Sequence, residues 1–102
     1  MKPTDPVRRE REEAWIGDAV LSLFARNWIL ASSGTMDAAL FAAMTSNQFL
    51  STIGNPTTVE SRIGRTYSSD GLAAAFTLIE QEILPRFLAQ RRKHHPSPGR
   101  SS

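Results

Sequence analysis

The chain has 102 residues, with 12 Lys and Arg, 10 Asp and Glu, two His and no Cys. A chain of this length forms a single domain that buries roughly 60–70% of the surface its unfolded form exposes, so one small core must stabilise it. The lack of Cys excludes disulfide scaffolds, Cys-based zinc sites and thiol catalysis. The net charge is only +2, but five basic residues follow the last acidic one and suit an acidic partner. They are Arg86, Arg91, Arg92, Lys93 and Arg100.

No targeting or membrane signal is visible in the sequence. Residues 1–13 are polar and charged, and no apolar run approaches about 18 residues. We therefore expect a soluble, cytoplasmic protein without a membrane segment. The positions of proline and of apolar residues predict an extended lead-in at residues 1–7, a helical domain at 8–92 and a flexible basic tail at 93–102.

The strongest helical pattern covers residues 8–31. Apolar residues recur there every three or four positions, and Gly17 is the one residue that disfavours a helix. The centre of this helix is apolar nearly all round, which is typical of a helix buried in a core or against a partner. We therefore place Trp15 and Trp28 in the core, and we interpret the charged run at residues 8–13 as a solvated face.

Three further helices are predicted from apolar periodicity and from the positions of glycine and proline. Their approximate bounds are residues 36–53, 55–68 and 72–92. We expect a kink at Pro85 in the last of them, because proline cannot donate the helical hydrogen bond. The β-branched residues are scattered, and no alternating run is long enough to indicate a strand. The sequence therefore predicts an all-α domain.

Asp18 is the most informative residue for function. Residues 14–25 contain only Gly17, Asp18 and Ser22 outside the apolar set. An ionised carboxylate in apolar surroundings is costly unless it is paired, hydrogen-bonded or bound to metal, so its presence here indicates a candidate site. Two structural interpretations compete: Gly17 ends one helix and Asp18 caps the next, or Asp18 is a buried residue satisfied by hydrogen bonds.

Glu60 is the second candidate, beside the apolar stripe of the third helix. Gly64 follows one turn later and would leave room for a ligand. The competing interpretation is a capping box at residues 57–60, in which the Glu side chain accepts a hydrogen bond from the cap backbone. Spacing alone favours the capping box.

Two sequence blocks resemble the ribonuclease III domain family. Residues 14–21, Ala-Trp-Ile-Gly-Asp-Ala-Val-Leu, resemble its signature, and the match centres on residues 17–21. Residues 59–67, Val-Glu-Ser-Arg-Ile-Gly-Arg-Thr-Tyr, resemble a later helix of the family. Residues 70–72 and 83–86 resemble the segment that follows this helix in the family. The matches occur in the same order as in the family and span most of the chain.

The resemblance implies that Asp18 and Glu60 are catalytic, metal-binding carboxylates. Two further acidic positions of the family pattern fall on Ala14 and Thr57. The Mini-ribonuclease III branch, which lacks a double-stranded-RNA-binding domain, is similar in keeping the Asp and Glu pair with non-acidic residues at those places. The chain also lacks a helix and loop that the family carries between the two blocks, since only residues 19–59 separate the two carboxylates.

The resemblance further implies a fold, a cofactor and partners. We expect a ribonuclease III-like domain that forms a homodimer through the apolar helix around residues 17–28. It would bind Mg²⁺, or Mn²⁺ in its place, and cleave double-stranded RNA during RNA or rRNA processing, with Arg91, Arg92 and Lys93 as RNA contacts. The alternative is a catalytically silent module of the same fold that binds RNA or assembles into a ribonucleoprotein.

Overall fold

The computed structural model describes residues 5–94, which form helices and no strands. The prediction of an all-α domain is confirmed for this part of the chain. Four longer helices are accompanied by two short ones near the middle of the sequence. In chain order they are α1 (Pro6–Ser33), α2 (Ala38–Met44), α3 (Asn47–Leu50), α4 (Pro56–Asp70), α5 (Leu72–Glu82) and α6 (Leu84–His94).

Helix α1 is continuous and slightly longer than predicted. The Asp5 side chain caps its N-terminus by accepting a hydrogen bond from the backbone N–H of Val7 at 3.0 Å. Gly34, at φ 76°, ends the helix in the left-handed conformation that glycine adopts without steric cost. The predicted lead-in at residues 1–7 therefore extends too far, because helix begins at Pro6, and residues 1–4 lie outside the described part.

The predicted second helix is divided into α2 and α3. Ser46 separates them, because its hydroxyl accepts from the backbone N–H of Phe49 at 3.0 Å and donates to the carbonyl of Ala43 at 2.9 Å. Side-chain hydroxyls compete in this way with the helical hydrogen bonds of the backbone. Periodicity alone did not reveal this break.

The predicted fourth helix is likewise two helices, α5 and α6, which meet at Ile83. Pro85 lacks the N–H that would continue the hydrogen-bond pattern of α5, so the expected kink is a full break. Helix α6 reaches His94, and residues 93 and 94 therefore belong to the helix rather than to the predicted tail. The remainder of that tail, residues 95–102, lies outside the described residues.

The core lies where all six helices meet. Five of its large side chains are fully buried, one from each of the first five helices, and Phe87 adds a contribution from α6. Two edge-to-face aromatic pairs, Phe24–Phe76 and Phe49–Phe87, have ring centroids 5.4 and 5.1 Å apart. The fully buried residues are Leu21, Met44, Leu50, Ile63 and Ile79.

Trp15 does not belong to this core, so its predicted placement is wrong. It is 81% exposed, whereas Trp28 packs partly buried against the core as expected. A helix turns by about 100° per residue, so Trp15 points away from Gly17, which faces α4. One side of α1 is therefore apolar and open to solvent.

Within the described residues, no helix has both the length and the apolar character needed to cross a membrane.

Candidate functional site

Helices α1 and α4 are in direct backbone contact at two glycines. A Cβ atom at Gly17 would overlap the carbonyl oxygen of Glu60, and one at Gly64 would overlap the carbonyl oxygen of Glu13. The space beside Gly64 is therefore filled by α1, and the expectation that it leaves room for a ligand is wrong. Glycine at both positions allows two helices to approach more closely than side chains would permit.

Asp18 follows Gly17, which lies against the backbone of Glu60, so this contact brings the carboxyl groups of Asp18 and Glu60 close enough to interact. Asp18 follows the glycine of α1 and is exposed, whereas Glu60 precedes the glycine of α4 by one turn and is partly buried. Burial raises the pKa of Glu60 to about 7 from an ordinary 4.5, and a hydrogen bond to Asp18 and repulsion by its charge act in the same direction. The two candidates that the sequence singled out therefore form one site.

The structural alternatives for both residues are wrong. Asp18 is not an N-cap, because α1 runs unbroken through Gly17, and it is not a buried residue, because its side chain is exposed. Glu60 does not complete a capping box, because Asn55 caps α4. The Asn55 side chain accepts from the backbone N–H groups of Thr57 and Thr58 at 2.9 and 3.2 Å.

The two carboxyl groups have no cationic partner among the side chains that the structure describes. Four ion pairs occur there, and none includes Asp18 or Glu60. No group of three or more His, Asp or Glu residues suited to a metal is found in the described part either. The site thus offers two carboxyl groups without a counter-ion among the described side chains.

Ala14 and Thr57 explain why the site stops at two acidic groups. Ala14, buried at 7% exposure, lies one turn before Asp18 on the same face of α1. Thr57 lies in the first turn of α4, three residues before Glu60, and is partly buried. Helical spacing puts each position on the same face as one of the two carboxyl residues, and neither supplies a charge.

A second polar cluster lies along the contact between α1 and α4. The Ser61 hydroxyl donates to Glu13 at 3.0 Å, and the Thr58 hydroxyl donates to Glu10 at 3.1 Å. Arg9 and Arg65 approach the Glu13 carboxylate at 3.6 and 3.9 Å. We call this cluster the α1–α4 clamp. It consists of Arg9, Glu10 and Glu13 from α1 and of Thr58, Ser61 and Arg65 from α4.

Sequence reasoning missed the clamp. The interpretation of residues 8–13 as a solvated face holds for the exposed pair Arg8–Glu12, at 3.4 Å, but not for Glu13, whose side chain is only 20% exposed. A usable signal was present: two Glu residues three apart on one helix, and two hydroxyl residues three apart on another, present matching rows of acceptors and donors.

The predicted RNA contacts lie on α6. Arg91 and Arg92 are exposed, and the Arg91 guanidinium lies over the Phe87 ring, 5.8 Å from its centroid. Lys93 belongs to the same helix, which contains no acidic residue. The structure does not bring Arg91 or Arg92 into an ion pair with the two carboxylates.

Comparison with protein-family models, with curated proteins and with solved structures finds no match to this chain.

Proposed function

We propose that this chain is a ribonuclease III-like module that holds a divalent cation at Asp18 and Glu60 and cleaves double-stranded RNA, with a role in RNA or rRNA processing. The observation that supports this most directly is the pairing of the two carboxyl groups across α1 and α4. These are the two positions that the family resemblance assigns to metal ligands.

The donor set fits Mg²⁺ or Mn²⁺. Both are hard cations that take oxygen ligands, and Mg²⁺ in particular keeps several waters and needs only one or two carboxylates from the protein. Asp18 and Glu60 supply two such groups with no basic side chain competing for them among the described residues. Burial raises the pKa of Glu60 most, and repulsion by Asp18 adds to it; a cation between the two carboxyl groups would relieve that repulsion.

Asp18, Glu60 and the basic residues of α6 have different roles in the proposed hydrolysis. Glu60, partly buried on α4, anchors the site beside α1, while the exposed Asp18 faces the solvent from which a phosphodiester would approach. A bound Mg²⁺ would neutralise charge on the phosphate and lower the pKa of water. An A-form duplex is recognised by shape and backbone, so the exposed Arg91 and Arg92, with Lys93 beside them, are assigned to phosphate contacts.

The open apolar side of α1 supports a homodimer. Trp15 is 81% exposed, Leu23 43% and Leu30 48%, and Ile16 also reaches solvent at 38%. Adjacent exposed apolar side chains of this size mark an interaction surface more often than a solvated one. Exposed residues recur along this side at steps of three and four, the spacing of the seam of a packed helix pair: Glu12, Trp15, Ala19, Leu23 and Arg26.

A second copy of the chain suits this seam because the seam is self-complementary. If two α1 helices pack antiparallel about a two-fold axis at Ala19, Trp15 opposes the partner's Leu23 and Glu12 opposes the partner's Arg26. The small side chain of Ala19 permits close approach at the axis. The pairing thus places apolar residues at the centre and two equivalent ion pairs at the edges.

The second candidate function is a silent module of the same fold that binds RNA or assembles into a ribonucleoprotein. One observation favours it: the described residues contain no third acidic group at the site, because Ala14 and Thr57 stand where further carboxylates would be needed. The two functions share the fold and the dimer. They differ in whether the carboxyl pair performs hydrolysis.

Cleavage of a labelled RNA duplex in Mg²⁺ or Mn²⁺ tests the proposal. We expect the wild type to cleave and the folded variants Asp18→Asn and Glu60→Gln to lose cleavage. Asp70→Asn and Glu80→Gln are the matched controls, since both residues are exposed and outside every ion pair in the described part, and they should cleave normally.

Two results would contradict the nuclease. One is a folded wild type that leaves the duplex intact, and the other is cleavage that survives both site substitutions. In the first case, a gel-shift measurement on the same duplex decides whether the silent RNA-binding module is correct.

A further inference from the structure

The α1–α4 clamp contains two hydrogen bonds that specify the same alignment of the helices. Thr58 pairs with Glu10, and Ser61 pairs with Glu13, so both bonds join residues 48 positions apart. Ser61, at 2% exposure, is the only buried polar side chain in the described part of the chain. Because both hydrogen bonds join residues with the same separation in sequence and lie on successive turns, they form together at only one position of α4 along the axis of α1.

The glycine contact specifies the same position. A Cβ at Gly17 or at Gly64 would overlap a backbone carbonyl of the other helix, so a shift along the axis would press neighbouring side chains into backbone. The clamp adds directional hydrogen bonds that hold the helices in this alignment.

The axial position of α4 also determines the separation of the two carboxyl groups. Asp18 lies one residue after the contacting glycine of α1, and Glu60 lies one turn before that of α4. A slip of one residue moves the helices by about 1.5 Å, which would break the clamp and displace Glu60 from Asp18 by a similar amount. Mg²⁺ requires ligands near 2.1 Å in an almost regular octahedron, so the site tolerates little displacement.

Glu13 is well suited to hold the alignment. Its side chain is largely buried and is approached by Arg9 from its own helix at 3.6 Å and by Arg65 from α4 at 3.9 Å. The carboxylate that accepts from Ser61 is therefore held from both helices.

We infer that Ser61 and Glu13 are positioning residues of the two-carboxylate site: they contact neither cation nor substrate, and they set the separation of Asp18 and Glu60. This inference rests on the proposed metal site. It assigns a role to a serine and a glutamate that lie outside the candidate ligand pair.

The test is Mn²⁺ affinity, measured by electron paramagnetic resonance titration at a temperature where every variant is folded. Ser61→Ala should weaken binding about tenfold, the loss expected for residues that orient metal ligands. Ser69→Ala is the matched control, because that hydroxyl bonds the carbonyl of Arg65 within α4 and does not reach α1. It should bind Mn²⁺ as the wild type does.

A conservative substitution separates the hydrogen bond from the charge. Glu13→Gln keeps an oxygen that accepts from Ser61 and should retain Mn²⁺ affinity within about threefold, whereas Glu13→Ala should lose about as much as Ser61→Ala. If Ser61→Ala does not fold, the exposed Thr58→Val removes the parallel bond and should weaken binding about threefold. Unchanged affinity in the folded clamp variants overturns the inference.

A wild type that binds no Mn²⁺ contradicts the proposed function, and a metal-free measurement then decides the positioning role. Glu60→Gln removes the repulsion with Asp18 and should raise the Tm near neutral pH. If the clamp holds the carboxyl groups together, this rise is smaller in the Ser61→Ala background, where they can separate. An equal rise in both backgrounds overturns the inference.

Discussion

Gly17 of α1 and Gly64 of α4 lie backbone against backbone, and a Cβ atom added to either would overlap a carbonyl oxygen of the other helix. The carbonyl oxygen that Gly17 touches belongs to Glu60, so the contact that joins the helices also carries a candidate site residue. Close packing and the carboxyl pair thus depend on the same two positions. The cost of bringing two carboxylates together is offset by the packing around the glycines.

The first prediction concerns these glycines. Gly17→Ala and Gly64→Ala should each lower the free energy of unfolding by about 3 kcal/mol, because the added methyl group overlaps backbone that cannot move aside. Chemical denaturation monitored by circular dichroism measures the change. Gly54→Ala is the control, since its Cβ would meet only Val59 Cγ2 at an ordinary 3.6 Å. An equal effect at all three positions would show that the contact is looser than described.

The second prediction is a pH dependence of stability. Folded Glu60 has a pKa of about 7, above its ordinary 4.5, so the folded state holds this proton more tightly than the unfolded state. The resulting stabilisation is complete below 4.5 and is lost as the pH rises through 7. Since part of the carboxyl group is in water, we expect a loss of about 1–2 kcal/mol rather than the full linkage value.

Glu60→Gln provides the measurement for this pH effect. The variant should match the wild type at low pH and exceed its free energy of unfolding by about 1 kcal/mol above pH 7, measured by urea denaturation across the range. Glu80→Gln, exposed on α5, should show no such pH-dependent gain. A constant difference between Glu60→Gln and wild type would mean that folding does not raise the pKa of Glu60.

The third prediction concerns metal addition and removal. A saturating divalent cation, at about ten times its Kd, should stabilise the folded protein by about 1.4 kcal/mol, and EDTA should reverse the change. The stabilisation should be greater above pH 7 than below it, because the ligands must be deprotonated to bind. Thermal unfolding with and without Mg²⁺ measures it. Asp18→Asn should abolish the effect, and an undiminished effect there would place the cation elsewhere.

Helices α1 and α4 could be predicted from the sequence because they depend on local pattern, whereas the pairing of Asp18 with Glu60 was expected only from the family resemblance. Apolar periodicity defines α1 and α4, and an isolated acidic residue in an apolar segment marks Asp18. Trp15 could not be placed, because a helix that is apolar nearly all round does not reveal which side the core covers. That side is decided by the contact of Gly17 with α4, a long-range property.

The clamp shows that the burial of polar residues, too, could not be predicted from local sequence. Glu13 belongs to a charged run that resembles a solvated surface, and Ser61 is a residue type that is mostly exposed. Their burial follows from the small separation of α1 and α4, which brings the Ser61 hydroxyl against the Glu13 carboxylate. Local composition could not indicate that the two residues would meet.

The fourth prediction is a gain of metal affinity. Thr57 lies three residues before Glu60 on the same face of α4, so Thr57→Asp should add a third carboxylate and strengthen Mg²⁺ binding about tenfold. Isothermal titration calorimetry measures the affinity, with Thr66→Asp further along α4 as the control. Duplex cleavage by Thr57→Asp alone, with a silent wild type, would identify the chain as a module that lost activity through this position. No gain in affinity would show that Thr57 does not border the site.

The last prediction tests the antiparallel α1 dimer through its ion pairs. Glu12→Arg and Arg26→Glu each place like charges opposite each other twice in the symmetric pair, and each should weaken dimerisation about tenfold or more. The double variant restores opposite charges in reversed order and should dimerise within about threefold of wild type. Sedimentation equilibrium measures the dimer Kd. Circular dichroism must accompany it, because Arg26 also lies over the Phe41 ring at 4.8 Å. Single variants that dimerise normally, or a double variant that does not recover, would exclude this register, whereas recovery shows that Glu12 faces the partner's Arg26.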